Sequence, residues 1–337
     1  MDFNNYLKDP AQKINWRLDQ LAVAWQREAK KEQAQLAPIV DVFLKANQGG
    51  KRVRGALVRL GFEMAGGKGD EISEIATALE VFQTAILVHD DIIDKSPLRR
   101  GQPTVYRSLG GDHYGISQAI VLGDIGFFLA IRLIAQSNFR EGVKNQAIDY
   151  FTKICLKTFY GEILDVALSR LGKINSRGDV LNIARLKTSY YSVAGPLCLG
   201  VILAGGSDSL VQKVENFGQA LGIALQIQDD INGIFGSKDK IGKSVTSDIE
   251  EGKQTLLAYF VYQKADKKQK KILKRYYGKK VGNDGLEAIK QVLVQTGALQ
   301  KTQKVKDQYI RQAKKAANLL DVSQDYKNLL LDLADFV

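Results

Sequence analysis

The stretch that decides the fold reads Glu80-Val-Phe-Gln-Thr-Ala-Ile-Leu-Val-His89-Asp90-Asp91-Ile-Ile-Asp94. Its apolar residues recur with a helical period, and the acidic residues come at its end. Residues at i, i+7 and i+11 share one helix face, which places Gln83, Asp90 and Asp94 on one stripe. At the rise of an α-helix, Asp90 and Asp94 are about 6 Å apart along the axis. The pattern therefore predicts a buried helix that carries two carboxylates on one face.

These carboxylates need a compensating cation. Acids so close together repel one another, and each resists ionisation unless a positive charge is near. Magnesium suits them because it binds through one or two carboxylates plus substrate phosphates. The pair Arg99-Arg100 follows directly, and guanidinium groups bind phosphate in a bidentate manner. The segment predicts a diphosphate held through metal, although an acidic helix end followed by basic residues is equally typical of a solvated surface.

A second acidic motif favours the metal hypothesis. It reads Gln226-Ile-Gln-Asp229-Asp230-Ile-Asn232-Gly233 and begins its acid pair 139 residues after Asp90 (229 minus 90). An apolar helical pattern again precedes the acids, and a loop with glycine and lysine again follows. We therefore expect two acidic helices that approach one central cavity from opposite sides.

Composition and periodicity indicate the fold class. The chain has 337 residues, of which 45% are hydrophobic and 25% charged, which is ordinary for a globular protein. Strand patterns are nearly absent, and the five prolines all precede Leu197. The sequence predicts an all-α fold in which residues 1–337 form a single domain, a bundle of long helices around a central cavity.

The net charge of +11 is compatible with nucleic acid, an anionic membrane or an anionic substrate. Much of the excess lies in the Lys-rich segment, residues 264–280, which is interpreted as the solvated face of a helix pair or as a peripheral membrane contact for the release of a lipid product. Because carboxylates repel phosphate unless metal intervenes, we do not expect a nucleic acid partner.

Cysteine and histidine are too few for a soft metal centre. Cys155 and Cys198 show no Cys-x-x-Cys spacing, and the only histidines are His89 and His113. The metal ligands must therefore be oxygens. The N-terminal residues lack the basic start and apolar core of a signal peptide, so we expect a cytoplasmic protein.

With both acidic motifs in place, the sequence resembles the trans (all-E) isoprenyl diphosphate synthases, the polyprenyl synthetase family, over nearly its whole length. The resemblance rests on five separated features: Gly49-Gly-Lys51-Arg52-Val-Arg54, Asp90-Asp91-x-x-Asp94, Arg99-Arg100-Gly101, Lys187-Thr188, and Gln226-x-x-Asp229-Asp230 with its trailing Gly242-Lys243 and Gly252-Lys253. It implies a prenyltransferase that catalyses the Mg²⁺-dependent 1′-4 head-to-tail condensation of isopentenyl diphosphate with an allylic diphosphate to an all-trans polyprenyl diphosphate.

The resemblance also implies a role for each residue of these motifs. Asp90 and Asp94 would ligate Mg²⁺ with Asp91 in support, and Asp229 would hold a further Mg²⁺ with Asp230 in support. We expect about three ions per active site with substrate bound. Contacts to the allylic diphosphate are implied for Arg99, Lys187, Thr188, Gln226, Lys243 and Lys253. Contacts to the diphosphate of isopentenyl diphosphate are implied for Lys51, Arg54, Gln83 and Arg100. Catalysis is implied for Asp90, Asp94, Asp229 and Lys187.

Two positions depart from the family's pattern. The second acidic motif ends in Asn232-Gly233, where the family often has aspartate at the fifth position. Position 83 is glutamine where histidine is frequent, and an amide can still donate to a phosphate oxygen. Because Asp229 is the ligand that the family uses there, we expect activity to be retained.

Product length depends on side chains before the first acidic motif. At the fifth position before Asp90, where short-chain members often carry an aromatic residue, this chain has Ala85. We expect Ala85 to leave the channel open, so that a product of about twenty carbons (geranylgeranyl diphosphate) or longer forms and Ala85→Phe shortens it. The candidates for the floor of the channel are Val81, Ile86, Phe127 and Phe128.

Two alternatives remain beside the prenyltransferase. A terpene cyclase shares the acidic motif but needs no second diphosphate site, and Lys51, Arg54 and Arg100 argue against it. The other is a basic helical protein that binds nucleic acid or a membrane, or a non-catalytic subunit of a heteromeric synthase. A homodimer is implied by the family and by the apolar residues 115–135, which predict a core helix or a subunit interface. The preferred primer, the exact product and the need for a partner chain stay open.

Overall fold

The computed structural model describes residues 2–169, 176–236 and 246–337. These residues form helices and one two-stranded hairpin, which confirms the predicted all-α class. The elements in chain order are α1 (Phe3–Glu32), α2 (Leu36–Ala46), α3 (Val53–Met64), α4 (Ile72–Ile93), β1 (Leu98–Arg99), β2 (Gln102–Pro103), α5 (Val105–Ser108), α6 (His113–Gln136), α7 (Glu141–Ser169), α8 (Arg177–Ile183), a π-helical segment (Ala184–Ala194), α9 (Gly195–Leu203), α10 (Asp208–Phe235), α11 (Ser247–Glu250), α12 (Leu256–Lys264), α13 (Lys267–Tyr276), α14 (Asn283–Gln295), α15 (Ala298–Asn318) and α16 (Gln324–Asp335).

The chain divides into two compact units. The first comprises Met1–Thr152, Pro196–Gln212 and Asp321–Asp332. The second comprises Lys153–Gly195, Lys213–Leu320 and Leu333–Val337. The single domain over residues 1–337 stays a prediction.

Helix α4 is the central element of the first unit, where it packs against α1, α3 and α6. Its apolar residues from Ile72 to Ala85 are buried, and the ring of Phe82 lies 4.9 Å from that of Phe151 and 5.6 Å from that of Phe127. Close packing elsewhere in this unit depends on glycine, since a Cβ at Gly61 would lie 2.0 Å from the carbonyl oxygen of Leu197. The buried helix predicted from residues 80–94 thus forms, and it extends from Ile72 to Ile93.

Helices α4 and α6 are each long and apolar enough to cross a membrane by length and composition alone, which is weak evidence for a span. The apolar window of α4 is 72% buried, as expected of a core helix, whereas that of α6 is only 33% buried. Val121 and Phe128 on α6 are 55% and 73% exposed. The prediction that Phe128 forms the floor of the product channel is therefore wrong, because its side chain lies on the exposed face of α6.

The packing of Ala85 also differs from the expectation. Ala85 is fully buried against α6, where a Cβ at Gly126 would lie 2.8 Å from its own Cβ and 2.7 Å from the ring of Phe43. The prediction of open space at Ala85 is wrong because the two helices touch there. Ile86 and Leu87, by contrast, are half-buried on the stripe that leads to Asp90.

The core of the second unit is built on α10. Its residues Ile223, Ile227, Ile231 and Ile234 recur at helical spacing and pack with residues of α8, α12, α14 and α15. The π-helical segment that follows α8 has 11 residues, and α15, the longest of the C-terminal helices, has 21 residues. Gly285 lies inside α14 and does not interrupt it.

Candidate active site

The first acidic cluster, Asp90, Asp91 and Asp94, lies at the C-terminal end of α4. Carboxylates are unfavourable there because the helix dipole is negative at that end. Arg99 compensates: its Nε lies 2.9 and 2.8 Å from the two carboxylate oxygens of Asp91, and its Nη2 lies 3.0 Å from Asp90 Oδ2. Asp91 is buried, whereas Asp90 and Asp94 are half-buried. The cluster is thus partly neutralised by the protein itself.

The hairpin formed by β1 and β2 carries both arginines. Arg99 pairs with Gln102, and the two residues between the strands, Arg100 and Gly101, have φ values of 53° and 75°. Positive φ at both positions is the requirement of a type I′ turn, which favours Asn-Gly. Sequence patterns did not predict this hairpin because its strands have only two residues each and its turn begins with arginine. The left-handed conformation of Arg100 is strained by about 1 kcal/mol.

Arg100 lies against the cationic loop, residues 49–54. Its Nη1 lies 3.3 Å from the carbonyl oxygen of Gln48 and 3.4 Å from that of Gly49. Burial lowers the pKa of Arg100, and the charges of Arg52, Arg99 and Arg54 lower it further. Cations packed this closely repel one another, so an anion bound among them is stabilised.

Arg52 holds the cationic loop in place. It is 5% exposed, and its guanidinium lies 3.7 Å from Glu80 Oε2 and donates to Asn15 Oδ1 at 2.7 Å. Glu80 in turn accepts the N–H of Gly55 at 2.9 Å. Sequence reasoning missed this structural role, although Glu80 at a core position of α4 was a usable signal, since a buried carboxylate needs a partner.

The other residues predicted for the second diphosphate lie in the same unit. Lys51 is exposed at the tip of the cationic loop, and Arg54 is half-buried at the start of α3. Gln83 is half-buried on the stripe of α4 that ends in Asp90 and Asp94. The first unit therefore contains the first acidic cluster, both arginines of the hairpin and all residues predicted to bind isopentenyl diphosphate.

The second acidic cluster, Asp229 and Asp230, lies near the C-terminal end of α10. Asp229 is exposed and Asp230 half-buried. The side-chain amide of Gln226 donates to Asp230 Oδ1 at 2.7 Å, and the hydroxyl of Thr188 donates to Gln226 Oε1. Three of the predicted site residues thus form one hydrogen-bonded chain within the second unit.

Lys187 lies on the π-helical segment, beside Thr188. Its Nζ lies 2.8 Å from Glu162 Oε2 and 2.8 Å from Asp165 Oδ2, two acids of α7 that sequence reasoning did not single out. A Cβ at Gly161 would lie 2.2 Å from the backbone nitrogen of Lys187, so glycine permits this contact of α7 with the π-helical segment. Such π-helical stretches are frequent at functional sites.

Asp248, on α11, joins the second acidic cluster although no motif pointed to it. Burial raises the pKa of Asp230 well above its usual value, and the charge of Asp248 raises it further. Lys253 lies between acids, with its Nζ 3.4 Å from Asp248 Oδ1 and 3.2 Å from Glu251 Oε2. The hydroxyl of Tyr277 donates to the carbonyl of Lys253 and so holds its backbone. The predicted residue Lys243 lies outside the described residues.

The carboxylates of the two acidic clusters suit a magnesium ion whose coordination shell is completed by substrate phosphate. No group of three or more His, Cys, Asp or Glu side chains in the described part of the chain closes around a metal by itself. Mg²⁺ does not require such a group, because it keeps most of its shell for water and substrate phosphate and takes one or two carboxylates from the protein. Carboxylates at a helix C-terminus and a half-buried carboxylate with a raised pKa are both stabilised by a hard cation. The residues therefore fit the ion.

The chain is similar to a known protein family and to individual proteins of known activity. The family model described as polyprenyl synthetase matches residues 36–295. The chain is 31% identical over 291 residues, 86% of each protein, to the short chain isoprenyl diphosphate synthase of Methanothermobacter thermautotrophicus. It is 29% identical to the geranylgeranyl pyrophosphate synthase of Geoglobus acetivorans over 98% of this chain and 97% of the relative.

A solved structure resembles the whole chain. It is the geranylgeranyl pyrophosphate synthase of Corynebacterium glutamicum in complex with isoprenyl diphosphate and magnesium. The TM-score is 0.91 at 27% identity, and the match covers 99% of this chain and 98% of that one.

Proposed function

The chain belongs to the polyprenyl synthetase family and is a prenyltransferase that elongates prenyl chains, and from this premise we propose that it condenses isopentenyl diphosphate with an allylic diphosphate through the residues described above. The first acidic cluster and Asp229 would hold the magnesium ions, about three with substrate bound. Arg99, Lys187, Thr188, Gln226, Lys243 and Lys253 would contact the allylic diphosphate. Lys51, Arg54, Gln83 and Arg100 would contact that of isopentenyl diphosphate.

The protein's task in this reaction is to stabilise a leaving group. Bound Mg²⁺ supplies positive charge to the diphosphate as the allylic C–O bond breaks. Fixed donors such as Arg99 and Lys187 add to this stabilisation because the negative charge on the diphosphate grows in the transition state. Lys187 is positioned for this by Glu162 and Asp165, and its three N–H donors can be shared between them and a phosphate oxygen.

The proposal rests mainly on the cations of the first unit, Arg100 and those of the cationic loop. Arg100 lies against the cationic loop, and the acids of α4 belong to the same unit, which supports a diphosphate site formed by these cations in addition to the metal ligands. A terpene cyclase needs no second diphosphate site. Neither it nor a non-catalytic subunit is supported by the relatives, which are synthases by name.

The test is product analysis by mass spectrometry. Purified protein receives Mg²⁺, isopentenyl diphosphate and each allylic primer in turn. We expect consumption of isopentenyl diphosphate and a prenyl diphosphate longer than the primer. Release of a hydrocarbon without consumption of isopentenyl diphosphate would contradict the proposal.

We further propose a product of about twenty carbons or longer, with Ile86 as the nearest side chain that limits it. Ile86 is half-buried one turn before Asp90, whereas Ala85 has no free space beside it. Ile86→Phe should therefore shorten the product. Ala85→Phe should lower the free energy of unfolding by about 2 kcal/mol, because it forces a ring into the contact of α4 with α6. Chain-length analysis and chemical denaturation of both variants distinguish the two roles.

We propose that the protein is a homodimer through α6. Apolar surface is exposed along this helix at Ile120, Val121, Ile125 and Phe128, and contiguous exposed apolar patches mark interfaces. Val121→Glu should yield monomers in sedimentation velocity. The matched control is Leu319→Glu, which changes an exposed leucine outside α6, 66% exposed, and should leave the mass unchanged.

We propose a peripheral membrane contact through the Lys-rich segment. Its nine basic residues are all exposed, and with Asp266 as its one acid the segment carries +8 of the chain's +11. Each basic residue near an anionic surface contributes about 1 kcal/mol of binding. Binding to vesicles that contain phosphatidylserine should fall when Lys267, Lys270 and Lys274 are changed to glutamate, with unchanged turnover of soluble substrates. The cytoplasmic location stays a prediction.

A further inference from the structure

His89, the residue before Asp90, reaches from α4 to α6. Its Nε2 lies 3.0 Å from the carbonyl oxygen of Ile120 and 3.5 Å from Asp124 Oδ1. A carbonyl oxygen can only accept a hydrogen bond, so Nε2 carries a proton and donates it to Ile120. The contact therefore joins a side chain of one helix to the backbone of the other.

Gly123 makes room for the imidazole ring on α6. A Cβ at Gly123 would lie 2.3 Å from His89 Nε2 and 2.4 Å from its Cδ2, so no larger residue fits while the ring stays in place. One turn further along α6, the ring of Phe127 packs edge-on against the imidazole, with the centroids 5.2 Å apart. Helix α6 thus offers this one side chain a gap, a hydrogen-bond acceptor and an aromatic ring.

The end of α4 needs such a support. The first acidic cluster lies there, where the helix dipole is already negative and the last carbonyls have no partner within the helix. Both effects favour fraying of the last turn. Arg99 contacts Asp90 and Asp91 from the hairpin. His89 provides a contact of the same turn with the neighbouring helix, which Arg99 cannot replace.

From this geometry, and resting on the proposed function, we infer that His89 is a positioning residue for the first metal site. Its hydrogen bond to Ile120 fixes the last turn of α4 on α6 and so places Asp90 and Asp94 for magnesium. His89 acts through the helix that carries the ligands and is not itself a ligand. Because Mg²⁺ demands a nearly ideal octahedral geometry, a small shift of this turn weakens metal binding.

Two other roles for His89 would use the same contacts. The ring could serve only to pack against Phe127, or it could form an ion pair with Asp124, whose side chain is 53% exposed. His89→Gln keeps an N–H donor at the position of Nε2, whereas His89→Leu fills a similar volume without a donor. Asp124→Asn removes only the ion pair. The positioning role predicts a large effect for His89→Leu and small effects for the other two variants.

Gly123→Ala is an independent test that leaves α4 unchanged. The added methyl group displaces the imidazole from its acceptor, while alanine favours the helical conformation of α6 itself. Gly142→Ala is the matched control, since no neighbouring atom lies within 4 Å of the added Cβ.

The first measurement is amide hydrogen exchange of the full-length, metal-free protein, followed by mass spectrometry. His89→Leu and Gly123→Ala should speed exchange at the end of α4 about tenfold and leave α1 unchanged, because only a local opening becomes easier. Unchanged exchange at the end of α4 in both variants would overturn the inference without bearing on the proposed function.

The second measurement titrates Mn²⁺ with inorganic diphosphate present and follows bound Mn²⁺ by electron paramagnetic resonance. His89→Leu and Gly123→Ala should weaken Mn²⁺ binding about tenfold, and His89→Gln, Asp124→Asn and Gly142→Ala should leave it within about twofold. Asp90→Asn is measured in parallel and should weaken binding as well.

The outcomes separate the inference from the proposed function. If Asp90→Asn weakens Mn²⁺ binding and His89→Leu does not, the inference is overturned while the proposed metal site stands. If Asp90→Asn has no effect, the proposed metal site fails and the inference fails with it. Equal losses for His89→Gln and His89→Leu would overturn the inference in favour of ring packing, and an equal loss for Asp124→Asn would overturn it in favour of the ion pair.

Discussion

The two acidic clusters solve the same electrostatic problem in different ways. In the first, Arg99 forms ion pairs with Asp90 and Asp91, so the protein supplies much of the compensating charge. In the second, Asp230 is surrounded by acids and receives a hydrogen bond from the neutral Gln226, while Lys253 is shared with Glu251. The protein itself therefore supplies more compensating positive charge to the first cluster than to the second.

This difference has consequences for stability. A buried carboxylate that loses a strong ion-pair partner destabilises the folded state. A carboxylate whose pKa is raised by burial and by neighbouring acids destabilises the folded state when it is ionised. Substitutions should therefore change the free energy of unfolding in opposite directions in the two clusters.

Arg99→Ala should have the largest effect on stability. It leaves Asp91, which is 3% exposed, without the guanidinium that contacts both of its oxygens. We expect the free energy of unfolding to fall by about 3 kcal/mol, since Arg99 is only partly buried. Arg107→Ala is the matched control in the same region of the chain. Its guanidinium packs on the ring of the neighbouring Tyr106, so this change should cost below about 1 kcal/mol. Denaturation with urea measures both, and an Arg99→Ala variant as stable as the parent would contradict the account.

Arg100→Asn should raise the stability of the hairpin and weaken the binding of isopentenyl diphosphate. Asparagine is favoured in the type I′ turn, so the hairpin should gain about 0.5 kcal/mol. Loss of a charge-assisted contact should at the same time raise the KM for isopentenyl diphosphate about tenfold while the KM for the allylic substrate changes little. Steady-state kinetics with each substrate varied in turn is the measurement. An equal rise in both KM values would show that Arg100 does not discriminate between the two diphosphates.

Asp230→Asn should stabilise the metal-free protein by about 1 kcal/mol at neutral pH, or about 2 °C in Tm. Burial and Asp248 raise the pKa of Asp230 in the folded state. A group with a raised folded pKa contributes stability below its unfolded pKa, and this contribution is lost as the pH rises through the folded value. The parent protein in EDTA should therefore lose stability over that range, and the variant should lose less. Calorimetric scans from acidic to neutral pH test this, and an identical pH dependence would refute it.

Much of the first acidic cluster could be predicted because it follows from helical spacing. The stripe from Gln83 to Asp94 depends only on local periodicity, and the structure preserves it. The hairpin could not be predicted, since a two-residue strand has no period and Arg100 is an unusual turn residue. Likewise, a π-helical segment has no local sequence signal, because its i→i+5 bonds are stabilised by packing.

Contacts between distant parts of the chain account for the remaining differences. Nothing near Ala85 in sequence reveals that Gly126 lets α6 approach it, and nothing near Asp229 reveals Asp248. A glycine in place of an expected acid was visible in the sequence at position 233. The structural role of Gly233 depends on a distant residue, Asp248, whose side chain lies beside it.

The most direct test of the proposed function, in which both acidic clusters serve one magnesium-dependent reaction, is a double-mutant cycle of Asp90→Asn and Asp229→Asn in kcat/KM for the allylic substrate. Each single variant should lose about 10³-fold. If the clusters act as a unit, the double variant should lose little more than either single one. Losses that multiply fully would show two independent sites and contradict the account.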